Sequence, residues 1–309
     1  MPSYPQTKRD LIIAIMITIA IAALEVWGSR ISNSLALLSD ALHVLSDVIG
    51  LVAALVALTL ARVAADGRRT FGFHRVEVLA ALLNGILLSG IAVALAFRGY
   101  EKIMHPSAVD VPIVIWVGLI GLGANVYVAF LLRRNENLNI QAAFLHVVGD
   151  ALASVAVVLG ALVMLITGNF LFDGLVSLLI AVVILVSAYW LLRNALSILL
   201  ESAPRSAHPD KIAQALMAMP SVREVHDLHV WSVCSDIVHL NAHVVVADKK
   251  LSQLDALQHQ MEQILANQFK IAHSTLQFES MRCECAKTGA CEIYGNRASP
   301  FRSRKVKSR

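Results

Sequence analysis

Charge is what this sequence lacks. Only 16% of its 309 residues are Asp, Glu, Lys or Arg, against about a quarter in a soluble globular domain. A chain so poor in charge cannot give all of its surface to water, so a wholly soluble enzyme or binding domain is excluded. The 26 basic residues exceed the 22 acidic ones by only four. They lie in short clusters beside apolar runs, which is a topology signal and excludes a nucleic-acid footprint. No HExxH is present, so the helical zinc-hydrolase signature is missing. The first apolar segment has no small-residue cleavage site; a retained helix and an intact N-terminus are expected, and no secretory signal peptide.

What is present is hydrocarbon. Some 57% of the residues are hydrophobic, and the mean hydropathy is +0.66. A helix needs about 20 apolar residues to cross a bilayer, and six stretches meet or approach that length: 11–28, 36–62, 77–98, 111–132, 140–167 and 173–193. Lys8, Arg9, Arg62, Arg68, Arg69, Arg75, Arg133 and Arg134 fall on one side of these spans, and Arg30, Arg98 and Lys102 on the other. The larger set marks the cytoplasmic side. Both termini are therefore expected in the cytoplasm.

From Ala203 the composition turns polar and no span follows. Helical spacing over Pro209–Met219 and Leu251–Phe269, with β-rich runs at His226–Cys234, Ile237–Ala247 and Ile271–Glu279, gives an α-β-β-α-β order. That order predicts a small open-faced α+β sandwich. The expected division is a six-helix membrane domain (1–202), a cytoplasmic α+β domain (203–282) and a Cys-containing basic tail (283–309).

Two ionisable pairs stand inside the apolar runs: HVLSD at 43–47 and HVVGD at 146–150. Residues four apart share a helical face, so His43 pairs with Asp47 and His146 with Asp150. If the second and fifth spans pack together, two imidazoles and two carboxylates converge, which is a full tetrahedral shell for Zn²⁺. A lone intramembrane His or Asp is also met as interhelical glue. Two copies in separate spans favour function. Asp40, one turn before His43, is read as a supporting acceptor for the imidazole. Glu25, Asn84 and Asn125 are the other polar groups at depth, each as readily glue as pathway lining.

Two ionised Asp in an empty site would each cost about 2.5–3.5 kcal/mol. The site must hold metal or protons, and metal binding expels protons, so the two compete. Moving Zn²⁺ out against an inside-negative potential costs about 4.6 kcal/mol per 100 mV, and each proton moving inward returns about 2.3. Exchange by alternating exposure of a midplane site is the secondary-transport solution.

In the soluble part, a two-residue turn at Ser235-Asp236 would make His226 and His243 diagonal neighbours on one face, about 7–8 Å apart. His239 shares that face and His229 alternates to the other. The spacing alone leaves open whether these histidines hold metal or are ordinary surface groups. Trp231 is expected in the sheet core. Four cysteines (Cys234, Cys283, Cys285 and Cys291) on the cytoplasmic side are expected as thiols.

SLALLSDALHVLSD, RRTFGFHRVEVLAALLNG, NLNIQAAFLHVVGDALASV, FDGLVSLLIA and HDLHVWSV together resemble the cation diffusion facilitator family, in its zinc-transporting branch, over nearly the whole chain. The resemblance implies a homodimeric metal/proton antiporter with a ferredoxin-like cytoplasmic domain. Zn²⁺ is its cargo and regulatory ligand, protons are its counter-substrate, and Co²⁺ or Cd²⁺ are further cargoes of the family. It implies His43, Asp47, His146 and Asp150 as transport ligands. It also implies a cytoplasmic site of His226, His243, His273 and Glu279, although the interval from His273 to Glu279 is one residue shorter here. His229, Cys283 and Cys285 are supporting positions, but CxCx5C fits no standard zinc module. Asp66 and His74 are all that remain of the metal site some relatives carry between spans two and three, and none is expected there. The loop RRNENLN lacks the His-rich insert of eukaryotic vesicular relatives, which implies a bacterial inner membrane. The closing RSRKVKSR would touch anionic lipid. Two other classes remain: an intramembrane metallohydrolase, for which Glu25 is the only further acid at depth, and a membrane-anchored metal sensor. Anchoring alone would not need two HxxxD motifs.

Overall fold

The computed structural model describes residues 4–61, 63, 66–133 and 138–281. Two compact units emerge, Met1–Arg62 with Leu79–Arg193 and Val63–Val78 with Asn194–Arg309. The division expected at 202 lies a few residues beyond the one at Arg193, and the segment between the second and third helices counts with the second unit.

The first unit is helical: α1 (Tyr4–Ser32), α2 (Leu35–Ala61), α3 (Arg75–Met104, whose first turn counts with the second unit), α4 (Val111–Leu132), α5 (Leu138–Thr167) and α6 (Leu171–Leu199, whose end beyond Arg193 counts with the second unit). Among the described residues, five helices are long and apolar enough to span a bilayer; α2 is a further helix of 27 residues. The helices outrun the apolar stretches at most ends, because backbone hydrogen bonding continues past the last apolar side chain until a cap stops it. Leu83, Leu152 and Ile166 point outward, more than 60% exposed, as a hydrocarbon solvent permits. Inside, Leu37, Leu95, Val114, Met164 and Ile184 form one cluster.

Asn33 takes the left-handed conformation (φ 56°) after α1, and Ser34 then caps α2, accepting from Leu37 N at 3.2 Å. Asp173, at the start of α6 and fully buried, reinforces that end. Its carboxylate accepts from Ser34 Oγ (2.6 Å), Leu35 N (2.7 Å) and Ala36 N (3.3 Å), and Lys102 Nζ of α3 lies 2.8 Å from it. α3 and α6 touch through backbone: a Cβ on Gly174 would lie 2.8 Å from Gly99 O and 3.0 Å from Ile103 N. Gly174→Val is expected to force these helices apart and cost about 1–3 kcal/mol, read as a lowered thermal midpoint of the detergent-solubilised protein. An unchanged midpoint would contradict the close packing.

The second unit has the order α7 (Pro209–Met217), β1 (Val222–Ser232), β2 (Val238–Val246), α8 (Leu251–Phe269) and β3 (His273–Glu279). The sheet runs β1-β2-β3, antiparallel in the first pair and parallel in the second. The parallel pair needs a crossover, which α8 supplies. Ile212 and Leu216 of α7 and Met261 and Leu265 of α8 bury one sheet face with Val230, Leu240 and Val244. His239, Asn241 and His243 alternate to the other face of β2.

The hairpin differs from expectation. Ser232 pairs with Val238, so five residues connect the strands where a two-residue turn was expected, and a bulge lies between His226 and His229. Asp227 carries it at φ 50°. The two shifts place His226 directly opposite His243, and His229 opposite Asn241. His229 therefore shares the face it was expected to leave, and Trp231 faces His239 outside the helix-covered core.

Candidate metal centre

In the first unit, α2 and α5 each present an imidazole and a carboxylate on one face. His43 Nδ1 lies 3.5 Å from Asp47 Oδ2 within α2, and His43 Nε2 lies 3.7 Å from Asp150 Oδ1 on α5. His146 Nε2 lies 3.3 Å from the same Asp47 Oδ2. One donor atom each of His43, Asp47 and Asp150 falls within 4.8 Å of the others. His146 stands at the rim, its side chain 48% exposed against 7% for Asp150.

Among the described residues, His43 Nδ1, Asp47 Oδ2 and Asp150 Oδ1 are buried without a hydrogen bond. Burying such atoms without a hydrogen bond is costly, and a divalent cation could be shared by one donor atom from each residue. The donor set, nitrogen and carboxylate oxygen, is that of zinc.

Asp40 does not support the His43 ring. Its Oδ2 accepts from Ser154 Oγ at 3.0 Å, and Ser154 Oγ accepts from Asn125 Nδ2 at 3.3 Å. Three residues on a helix leave about 60° between the two directions, which turns Asp40 toward α4 and α5. Glu25 is fully buried with neither oxygen hydrogen-bonded among the described residues. Gly121 makes its room, since a Cβ there would lie 2.5 Å from Glu25 Oε1.

In the second unit, Glu279 ends β3 beside the paired histidines. His243 Nδ1 lies 2.9 Å from Glu279 Oε1, and His226 Nε2 lies 3.4 Å from Glu279 Oε2. The three residues offer donor atoms within 4.8 Å of one another. Asp227 joins them, with Oδ2 3.7 Å from His243 Nε2 and Oδ1 3.1 Å from His229 Nε2. Sequence reasoning missed Asp227, because strict alternation has no place for a bulge residue. The signal available was its position between two histidines in HDLH.

His273 is not in this cluster. The parallel register pairs it with His239, and Gln277 stands opposite His243. Four residues of strand separate the two rows, about 13 Å. Asp66 serves a turn, accepting from Arg68 N and Arg69 N at 2.8 and 2.7 Å. Cys283, Cys285 and Cys291 lie outside the described residues; Cys234 is a buried thiol.

Partial burial, and then neighbouring His273, hold the His239 imidazole below its ordinary 6.5. A lowered value means that the unfolded chain takes up this proton first, so stability falls as pH drops below about 6.5 toward the folded value. An NMR titration of the His239 ring is expected to show a midpoint below 6.5; a midpoint at or above it would contradict the packing.

Residues 11–200 match the family described as the cation efflux transmembrane domain, and residues 204–281 match the cation efflux protein cytoplasmic domain. The chain is 35% identical over 281 residues to the cation efflux system protein CzcD of Alcaligenes sp. (strain CT14), covering 90% of this chain and 89% of that one. It is 36% identical over 279 residues to the zinc transporter ZitB of Escherichia coli (strain K12), covering 89% and 88%. It is 34% identical over 278 residues to the cadmium, cobalt and zinc/H(+)-K(+) antiporter of Bacillus subtilis (strain 168), covering 88% and 89%.

Proposed function

Because the chain belongs to the cation efflux (cation diffusion facilitator) family, we propose that it exports Zn²⁺ from the cytoplasm in exchange for protons through His43, Asp47, His146 and Asp150. It is a multi-pass membrane transporter of metal cations and not an enzyme. The observation that carries the site is the convergence of three donor atoms from α2 and α5 within 4.8 Å.

The physical case is charge. Asp47 and Asp150 must be neutralised at membrane depth, by metal or by protons. His146, at the exposed rim, is the ligand through which an ion enters or leaves. Imidazole with carboxylate suits Zn²⁺ and does not bar Co²⁺ or Cd²⁺, and a relative's name includes both. The protein works as a homodimer in a bacterial inner membrane, with both termini and the second unit in the cytoplasm. There His226, His243 and Glu279, with Asp227, bind regulatory metal.

The test is reconstitution in liposomes under an imposed pH gradient, with Zn²⁺ flux and lumenal pH recorded together. Zn²⁺ entering the lumen while protons leave it is the expected result; flux indifferent to the gradient would overturn the exchange.

A further inference from the structure

His239 and His273 occupy one row of the sheet, directly opposite each other across β2 and β3. Their rings lie 4.9 Å apart between centroids with planes within 8°. Trp231 completes the row on β1, stacked on His239 at 5.6 Å and 27°. Phe71, from the segment between α2 and α3, meets His239 edge-on at 5.1 Å. Among the described residues, these two imidazoles make ring contacts but no hydrogen bond or ion pair. A cavity of about 520 Å³ opens beside both of them, and Glu262 of α8 lines it as well.

Two adjacent imidazoles with free nitrogens, facing a solvent-filled cavity that also holds a carboxylate, are the donors borderline cations select. We propose that His239 and His273, with Glu262, form a second divalent-cation site in this unit, for Zn²⁺, Co²⁺ or Ni²⁺, separate from the His226–His243–Glu279 cluster. Bonds of about 2.0–2.1 Å to one tetrahedral ion place two nitrogens about 3.3 Å apart. As the side chains stand, these three residues do not bring their donor atoms within 4.8 Å of one another, so binding requires both rings and Glu262 to turn toward a shared ion. Glu262 accepts from Gln258 Nε2 at 2.8 Å, lies 3.7 Å from His259 Nδ1 and is 40% exposed, so a metal at this site exchanges two solvent-accessible contacts of the carboxylate. Water completes the shell from the cavity.

The row also supplies a reporter. Trp231 is beside His239, whereas the other cluster is about 13 Å further along β2. The test uses the full chain in detergent, with Trp27, Trp116 and Trp190 replaced by Phe so that Trp231 alone fluoresces, titrated with Ni²⁺. One saturable quenching phase is expected. It should persist in His226→Ala/His243→Ala and move at least tenfold to higher Ni²⁺ in His273→Ala, with a smaller shift in Glu262→Gln. His273→Ala is decisive because His273 does not touch Trp231, and an unchanged emission maximum without Ni²⁺ confirms the fold. A His273→Ala variant that collapses is replaced by His273→Gln, with the same expected shift. Quenching within twofold of the parent in the His273 variant, or quenching lost in His226→Ala/His243→Ala, would overturn the site. Neither readout depends on transport, so failure here leaves the exchange reaction untouched.

Discussion

Asp47→Ala is expected to abolish proton-driven Zn²⁺ flux, at least about 100-fold, since even partners one step removed from a metal cost 10–100-fold. The geometry makes Asp47 the most damaging loss. Its Oδ2 is faced by both His43 at 3.5 Å and His146 at 3.3 Å, so removing it takes a carboxylate from both imidazoles at once. Asp150→Asn keeps the shape but not the charge. It is expected to lose flux as fully, because a neutral amide leaves one fewer negative charge for Zn²⁺ and nothing to exchange for a proton. Flux at the parental rate in both variants would sink the site assignment. Flux retained with proton movement lost would locate coupling at these carboxylates and binding elsewhere.

Asp173→Ala is the second large effect, and it acts on stability. The carboxylate satisfies two α2 amides and Ser34, and neutralises Lys102, whose side chain is 11% exposed. Removing one partner of a buried pair costs about 3–5 kcal/mol, because the other charge stays buried and uncompensated. The thermal midpoint in detergent should fall sharply. Asp173→Asn with Lys102→Met removes both charges and is expected to recover much of the loss. Equal losses in the single and double variants would mean that the pair contributes little.

Helical segments were legible in the sequence because the bilayer demands long apolar runs, and the HxxxD pairs because a helix fixes which residues share a face. That α2 and α5 meet is a packing fact no single-helix pattern contains. Asp40 shows the limit at short range: one turn from His43, it was read as its partner, yet Ser154 on α5 captures it. The soluble sheet was harder. Its strands were placed within a few residues, but register depends on turn length and bulges. Five connecting residues and an αL Asp227 each moved the pairing by one. Those steps brought His226 opposite His243, while the parallel pairing of β3, set by α8, carried His273 to a different row. The membership of segment 63–78 in the soluble unit has no local signal, because Phe71 and Glu77 find their partners, His239 and Ser235, more than 150 residues away.

Asp173 fastens α2 at one end only, and that makes the helix a lever. At 1.5 Å per residue, His43 lies about 12 Å from the fastened Leu35, Asp47 about 18 Å and Ala61 about 39 Å. A tilt of about 10° around that end moves His43 by about 2 Å, Asp47 by about 3 Å and Ala61 by about 7 Å on the same rise. Metal–ligand distances hold within about 0.2 Å. A tilt of that size would therefore take His43 and Asp47 out of reach of a shared ion, with Ala61 displaced about two to three times as far as either of them.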